Sequence, residues 1–416
     1  MNPVRHLQCL ICGAMYAPEE VAYVCPRHGQ EGILDVVYDY GTIARQISRA
    51  MLESSREFSQ WRYRSLLPMT PEAVVPPLRV GWTPLYRADR LAEQVGLRHV
   101  WVKDDGQQPT GSFKDRASAL AVVKAREQNA AVITTASSGN AAAALSGLCA
   151  SVGLSNVIFV PEHAPPAKVA QMLAYGSTVF LVQGTYDDAY GLCLEAAHHY
   201  GWYNRNTAYN PYMTEGKKTV SFEICEQLRW QAPDVILVSV GDGCIIGGVH
   251  KGLRDLRVLG WIDTMPRLIG VQAEGSNFLV EAWERGEEVL AKPAIAAHTL
   301  ADSISVGLPR DRLKAMRAVR ETEGAFLSVS DGDILEAIPL LARTSGVFAE
   351  PAGAAACAGL LKAVAQERIA PEERVVIINT GNGLKDISSV EQAAQRAGTR
   401  AHRITPDLAA VRAFLI

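Results

Sequence analysis

From about residue 36 onward, short β-branched runs alternate with longer stretches rich in alanine and leucine. The runs of strand length, each bounded by turn residues, lie at 99–102, 132–135, 157–160, 178–182, 235–240, 268–272 and 375–379. The stretches of helical length lie at 116–128, 140–152, 167–175, 186–200, 219–231 and 352–366. Strands that alternate with helices predict parallel sheets covered by helices on both faces. In such sheets ligands gather at the carboxyl ends of the strands, so we look for chemistry in the strand-to-helix turns.

Length and composition narrow the class of protein. The chain has 416 residues, of which 48% are hydrophobic and 20% charged, with a formal net charge of -3. A single core rarely serves more than roughly 250–300 residues, so we expect two domains or one domain with additions. The near-neutral charge argues against a nucleic-acid partner. Since no apolar run reaches the roughly 20 residues of a membrane span, and no signal-peptide pattern is seen, we expect a cytoplasmic protein with no membrane partner.

Three of the eight cysteines cluster with a histidine near the N-terminus. Cys9 and Cys12 form a Cys-x-x-Cys pair, and Cys25 and His28 form a Cys-x-x-His pair further along. Two such pairs suit one tetrahedral zinc ion, and because four protein ligands would close its shell, the zinc would be structural. The alternative is that the four residues are incidental. We therefore predict a zinc-ribbon-like unit at residues 1–35, an appendage to the rest of the chain that stabilises it.

The most specific segment is Pro-Thr-Gly-Ser-Phe-Lys-Asp-Arg at 109–116, a glycine-containing turn directly before a predicted helix. Lys114 in this turn can place its amine next to an aldehyde cofactor. Taken alone, a lysine at a helix start is usually a solvated surface charge. The neighbouring residues favour the functional interpretation.

This segment resembles the attachment motif for pyridoxal 5'-phosphate (PLP) in threonine synthases and their relatives of the tryptophan-synthase-β, or fold-type II, family. The resemblance implies that Lys114 binds PLP as a Schiff base and later moves protons at the carbons of an amino-acid substrate. Asp115 and Arg116 would support the lysine. Arg116 and Lys218 are also candidate substrate-binding residues.

The turn at 135–140, Thr-Ala-Ser-Ser-Gly-Asn, leads from a strand into a helix. Backbone N–H groups and hydroxyls at a helix N-terminus form an anion site, although a simple helix cap explains the same residues. By resemblance, Ser137, Ser138 and Gly139 would bind the substrate carboxylate. Asn140 would bind both the substrate and the phenolic oxygen of the cofactor.

A glycine-rich turn follows the strand at 235–240 and reads Gly241, Asp242, Gly243, Cys244 and Ile245. Such a turn lets backbone N–H groups approach a phosphate, while a simple tight turn is the alternative. The resemblance makes it the loop for the cofactor phosphate. Since a carboxylate beside a phosphate is unfavourable, we expect the side chain of Asp242 to cap the loop backbone instead.

Two further segments match the family. In Asn-Thr-Gly-Asn-Gly-Leu-Lys-Asp at 379–386, Thr380 would offer its hydroxyl to the pyridine nitrogen of PLP, whereas a Thr-Gly hairpin is the alternative. Glu-Pro-Ala-Gly-Ala-Ala at 350–355 would help to shape the wall of the site. Because this alanine-rich stretch is equally explained as a close-packed core helix, we expect its role to be structural.

The resemblance implies two α/β domains built on open, twisted sheets, with PLP between them. The large domain would comprise residues 36–116 and 206–416, and the small domain residues 117–205. Relatives usually form dimers, so a homodimer is expected. The implied reaction is elimination or replacement at the β or γ carbon of an amino acid. The named activity is that of a threonine synthase, which converts O-phosphohomoserine and water to threonine and phosphate.

Alternatives to this activity stay open at the level of sequence. The first is a serine/threonine dehydratase or a β-replacement synthase similar to cysteate synthase. The second, from another class, is a zinc-ribbon scaffold protein with an inactive PLP fold. Many threonine synthases carry an arginine in Asn-Pro-x-Arg-x-Glu-Gly-x-Lys-Thr, where this chain has Met213. A thioether cannot neutralise a phosphate dianion, so the phosphate would have to be bound by Lys217, Lys218 or Arg116, or the substrate differs. We therefore expect O-phosphohomoserine to be turned over poorly and Met213→Arg to improve its use.

Overall fold

The computed structural model describes residues 3–137 and 139–415. Its strands are β1 Val4–Cys9, β2 Met15–Tyr16, β3 Leu34–Tyr38, β4 Leu85–Arg87, β5 His99–Asp104, β6 Val132–Ala136, β7 Ser155–Pro161, β8 Thr178–Val182, β9 Tyr203–Asn204, β10 Val235–Ser239, β11 Arg267–Ala273, β12 Ala325–Val329 and β13 Arg374–Asn379. The α-helices are α1 Tyr40–Gln46, α2 Arg49–Ser54, α3 Asp89–Val95, α4 Asp115–Glu127, α5 Asn140–Ala150, α6 Pro166–Ala174, α7 Tyr186–Tyr200, α8 Tyr212–Lys217, α9 Thr219–Gln227, α10 Cys244–Val258, α11 Phe278–Arg285, α12 Arg312–Glu321, α13 Asp331–Ser345, α14 Pro351–Ala365, α15 Ile387–Arg396 and α16 Leu408–Leu415.

Two sheets form the body of the protein. The larger has six strands in the order β12-β11-β10-β13-β5-β4, parallel except for β4, which pairs antiparallel to β5. The smaller has four parallel strands in the order β8-β7-β6-β9. This is the α/β architecture of parallel sheets that the alternating pattern predicts. Because parallel strands bury both faces, nearly every residue of β10 and β13 is buried.

The two sheets take their strands from different segments of the chain. All strands of the smaller sheet lie within 117–205, and all strands of the larger sheet lie within the two flanking segments. The seven predicted strands and six predicted helices are present. The strands β4, β9 and β12 were not predicted. Among the described residues no helix is long and apolar enough to cross a membrane.

The N-terminal residues form a third, antiparallel sheet in the order β2-β1-β3. Strand β3 begins inside the predicted unit of residues 1–35 and ends at Tyr38, so the expected boundary falls within a strand. Leu7 and Leu34 of this sheet belong to the same hydrophobic core cluster as Ile246 and Leu253 of α10. The N-terminal unit is therefore packed into the main core, more closely than an appendage would be.

Two glycines permit the helix contacts that shape the centre of the molecule. At Gly216 in α8, a Cβ atom would lie 2.3 Å from the carbonyl oxygen of Arg116, so only glycine lets α8 pack so closely on α4. At Gly243 the backbone is left-handed, with φ of +88°, and a Cβ would lie 2.8 Å from that of Ala315. These contacts fix α8 and the start of α10 beside the lysine that precedes α4.

Candidate active site

An open cavity lies between the two sheets at the carboxyl ends of β6, β10 and β13. Ten of the residues singled out from the sequence line it together: Lys114, Ser137, Gly139, Asn140, Gly241, Asp242, Gly243, Cys244, Ile245 and Thr380. Ser138 lies outside the described residues. The turns chosen for their motifs thus converge on one place although the chain separates them widely.

Lys114 immediately precedes α4 and directs its side chain into the cavity. Its amine makes no hydrogen bond or ion pair with any residue that the structure describes. Burial lowers the pKa of Lys114 from its usual value. An amine that spends more of its time neutral is a better nucleophile for an aldehyde.

The loop that carries Lys114 is tied down on both sides. The Phe113 N–H donates to the carbonyl of Thr380 at 2.9 Å, which joins the lysine loop to the loop after β13. The Thr110 N–H donates to the carboxylate of Asp115 at 2.8 Å. Burial raises the pKa of Asp115 to about 7. Asp115 therefore supports the loop, as expected.

The glycine-rich turn forms an anion cradle at the start of α10. Gly243 is the residue before the helix, so the first N–H groups of α10 are free of intrahelical partners and face the cavity end. The carboxylate of Asp242 accepts the N–H of Arg310 at 3.1 Å. Asp242 thus binds backbone, as predicted, but the backbone of the loop before α12 and not its own. Burial raises the pKa of Asp242.

Arg205, which sequence reasoning missed, is the cation of the cavity wall. It is 1% exposed and follows β9 directly. Its Nε donates to the hydroxyl of Ser118 at 3.2 Å. Its Nη2 has no hydrogen-bond partner among the described residues, and no carboxylate pairs with it there. Burial lowers the pKa of Arg205 to about 10 because the charged form loses its hydration. An anion bound beside the guanidinium would offset this cost.

Lys217 of α8 lies next to this part of the cavity wall but does not line the cavity itself. Its amine donates to the hydroxyl of Thr207 at 3.0 Å and to the carbonyl of Met213 at 3.2 Å. Thr207 itself lines the cavity. Burial lowers the pKa of Lys217 to about 8, and Arg205 acts in the same direction. Two neighbouring cations without carboxylate partners in the described chain make this side of the cavity suited to phosphate.

The structure does not bring Arg116 and Lys218 to the cavity. Both are fully buried. Arg116 pairs with Asp105 at 2.6 Å and Glu223 at 2.5 Å, and Lys218 pairs with Asp255 at 2.6 Å and Glu215 at 2.7 Å. Because their charges are already neutralised, these two residues stabilise the fold and have no free group for a substrate.

Met213 also lies away from the cavity lining. It is 0% exposed and belongs to the main hydrophobic core cluster. The side chain of Met213 therefore packs in the core. Its lack of charge does not affect the charge of the cavity wall. A cation lines the cavity at another position, Arg205.

The turn after β6 forms the opposite end of the cavity. The hydroxyl of Ser137 accepts the N–H of Gly139 at 3.1 Å, and α5 begins at Asn140. The side-chain amide of Asn140 donates to Glu350 at 2.6 Å and to Ser303 at 3.2 Å. Its carbonyl oxygen has no partner within the described chain.

Glu350 lines this end of the cavity and is 1% exposed. Its pKa is raised by burial. One of its oxygens has no hydrogen-bond partner in the part of the chain described. The segment at 350–355 therefore shapes the wall as the resemblance implies, besides forming a core helix.

The four predicted metal ligands lie together in the N-terminal unit. The ligand atoms of Cys9, Cys12, Cys25 and His28 are all within 4.8 Å of one another. The Sγ atoms of Cys12 and Cys25 are 4.0 Å apart. Two thiolates on one tetrahedral zinc lie roughly 3.5–4 Å apart, given Zn–S bonds of about 2.3 Å. The cluster thus has the residue types, number and spacing that one zinc ion needs.

A free lysine amine in a cleft between two α/β sheets, near an anion cradle at a helix N-terminus, suits an enzyme that binds an anionic carbonyl compound. A family model described as pyridoxal-phosphate dependent enzyme matches residues 77–381, and the chain belongs to this family.

Curated relatives cover nearly the whole chain. The threonine synthase of Methanocaldococcus jannaschii is 37% identical over 410 residues, covering 98% of each chain. The threonine synthase of Methanosarcina acetivorans is 40% identical over 386 residues, covering 92% of this chain and 93% of the relative. The similarity thus includes the N-terminal unit as well as the two larger sheets.

Solved structures show the same fold. Tomato (Solanum lycopersicum) threonine deaminase isoform 2 superposes with a TM-score of 0.65 over 76% of this chain and 83% of that one, at 24% identity. Diaminopropionate ammonia lyase of Escherichia coli gives a TM-score of 0.66 over 91% and 95%, at 18% identity. At these identities the likeness concerns the fold, which is that of fold-type II PLP enzymes.

The cavity fits PLP. Lys114 offers the amine for the aldehyde, and the start of α10 offers N–H groups for a phosphate. Thr380, on the loop tied to the lysine loop, is 4% exposed and lines the cavity.

Proposed function

We propose that the protein is a threonine synthase, which converts O-phosphohomoserine and water to threonine and phosphate with PLP on Lys114. The observation that carries the proposal is the unpaired arginine in the cavity wall, Arg205, in a chain whose full-length relatives are threonine synthases. Because the N–H groups at the start of α10 are available for the cofactor phosphate, Arg205 is left for a second anion, the phosphate of the substrate.

Lys114 is the proton carrier of the proposed mechanism. PLP, when bound, supplies an electron sink that makes the α and β hydrogens of the substrate acidic. The lowered pKa of Lys114 suits its amine to take such a proton at neutral pH and return it at another carbon.

The two ends of the substrate meet opposite ends of the cavity. The carboxylate is bound at the start of α5, where Ser137, Gly139 and Asn140 line the wall. The leaving phosphate is bound by Arg205, with Lys217 behind Thr207 adding positive charge. The N–H groups of Gly241 to Ile245 would hold the cofactor phosphate. A buried arginine is pre-organised for a dianion because it can donate two parallel hydrogen bonds.

The proposal is tested by measuring threonine and phosphate from O-phosphohomoserine, alongside 2-oxoacid from L-serine and L-threonine. We expect threonine and phosphate in equal amounts and much slower 2-oxoacid formation. Efficient 2-oxoacid formation with no threonine would instead indicate a dehydratase. Absence of both, in protein that carries PLP, would favour the scaffold alternative.

We also propose that Cys9, Cys12, Cys25 and His28 hold one structural zinc ion. The clustered ligand atoms support this assignment. Purified protein should then contain about one equivalent of zinc, and Cys25→Ala should lose it. Metal-free protein with three freely reactive thiols in this cluster would contradict the assignment. A homodimer stays a prediction from the resemblance, to be checked by light scattering. The cytoplasmic location stays a prediction from the sequence pattern, to be checked by cell fractionation.

A further inference from the structure

We infer that the N-terminal unit helps to hold the cavity wall in place, and that Tyr23 is the residue that positions this wall. Tyr23 lies two residues before Cys25, inside the metal-ligand cluster of the sequence. It contacts residues 203–209, called here the arginine segment, which brings Arg205 and Thr207 to the cavity.

Tyr23 touches the arginine segment with its hydroxyl and its ring. The hydroxyl accepts the N–H of Asn204 at 2.8 Å. The ring lies edge-on to Tyr203, with centroids 6.0 Å apart, and tilted against Tyr209, with centroids 5.0 Å apart. One side chain therefore binds both ends of the segment.

The N–H of Asn204 needs this partner because of its place in the sheet. Strand β9 lies at the edge, with β6 on one side and no strand on the other. The next N–H, that of Arg205, donates to Thr134 of β6 at 2.8 Å. Since successive N–H groups of a strand point to opposite sides, that of Asn204 points away from β6. Without Tyr23 it would lose its protein acceptor.

The arginine segment also needs outside support because its backbone is strained. Ala208 is left-handed, with φ of +63°, a backbone conformation that is unfavourable for a residue other than glycine. The Asn206 side chain accepts from Thr135 and Ala136 and fixes the segment on the β6 side. Tyr23 fixes it on the opposite side, next to the strained turn. Removing that contact loosens the residue that follows Asn204, which is Arg205.

The N-terminal unit, which carries Tyr23, also contacts a helix that packs on the larger sheet. Glu31 pairs with Arg312 at the start of α12. Tyr23 binds β9 of the smaller sheet. The N-terminal unit thus spans from the helix beside the anion cradle to the strand before Arg205, and sets the distance between two walls of the cavity.

The test compares Tyr23→Phe with Tyr40→Phe. Both remove one hydroxyl that ties the N-terminal region to the rest of the protein, but Tyr40 donates to Asp255 at 2.7 Å, outside the arginine segment. The first readout is hydrogen–deuterium exchange of peptides covering 203–209. Loss of one hydrogen bond should speed exchange there about three- to tenfold in Tyr23→Phe and leave it unchanged in Tyr40→Phe.

The second readout is kinetic and rests on the function proposed above. Tyr23→Phe should raise the KM for O-phosphohomoserine about three- to tenfold while kcat and the bound PLP change little. Equal exchange and equal KM in both variants would overturn the inference. Faster exchange at 203–209 without any threonine synthase activity in the unmodified protein would keep the positioning role and reject the proposed reaction.

Discussion

The backbone N–H of Phe113 donates to the carbonyl of Thr380 across 2.9 Å, and this bond joins two loops separated by most of the chain. Lys114 comes directly after Phe113. Thr380 carries the hydroxyl that is predicted to meet the cofactor ring. The backbone positions that carry the amine and the hydroxyl are thereby held next to each other.

Lys114→Ala should abolish turnover while the fold persists. The substitution removes the only unpaired amine in the cavity among described residues, and it lies in a turn and not in the core. The visible absorbance of lysine-bound PLP should vanish. The matched change at the partly exposed Lys362 should leave both properties intact. Threonine formation by Lys114→Ala with PLP added would contradict the assignment.

Arg205→Gln should weaken use of the phosphorylated substrate selectively. Leaving a buried phosphate without its charged partner costs about 2–4 kcal/mol, so kcat/KM for O-phosphohomoserine should fall roughly 30- to 1,000-fold. Elimination from L-serine, which has no phosphate, should change little. Arg98→Gln on the surface is the control. If Arg205 held the cofactor phosphate instead, PLP would dissociate from the variant and both reactions would fail together.

Met213→Arg should destabilise the protein and fail to improve phosphate release from O-phosphohomoserine. The side chain is 0% exposed in the core, and an unpaired charge there costs about 3 kcal/mol or more. Thermal unfolding and phosphate release measure the two effects. The control is Met213→Leu, which keeps the volume and should stay near the parent in both. A stable, faster Met213→Arg enzyme would restore the interpretation that this position faces the substrate.

Acid should unfold the protein partly through Glu223. Although burial opposes it, the charges of Arg116 and Lys103 lower the pKa of Glu223 to about 2 from 4.5. A carboxylate with a lowered folded pKa contributes stability that is complete above the unfolded value and is lost as pH falls from about 5 towards 2. The loss should be on the order of a few kcal/mol, measured by urea unfolding from pH 7 to 3. Glu223→Gln should lose less over this window, whereas exposed Glu336→Gln should behave like the parent.

The outline of the fold could be predicted because its strands are continuous β-branched runs. Strand β10, Val-Ile-Leu-Val-Ser, is an example. Strand β9 has two residues, Tyr203 and Asn204, and its existence depends on pairing with β6 and on Tyr23. No local pattern records such contacts.

The residues of the cavity likewise divide into those that a local motif predicts and those whose position depends on distant contacts. Lys114 and the loops after β6, β10 and β13 carry motifs, so the sequence predicts them. Arg205 carries none, and its role arises from burial without a carboxylate partner in the described chain. Arg116 and Lys218 were candidates for the substrate because Met213 leaves the expected phosphate position without a cation. Whether a charge is free depends on carboxylates far along the chain, such as Glu223 and Asp255, and only the fold brings these together.

The most direct test of the proposed reaction is incubation of the unmodified holoenzyme with O-phosphohomoserine in heavy-oxygen water. Water adds to the β carbon in the proposed reaction, and the phosphate leaves with its bridging oxygen by cleavage of the bond to the γ carbon. Mass spectrometry should therefore find the heavy oxygen in the hydroxyl of threonine and none in the phosphate. Label in the phosphate together with homoserine, or 2-oxoacid in place of threonine, would contradict the proposal.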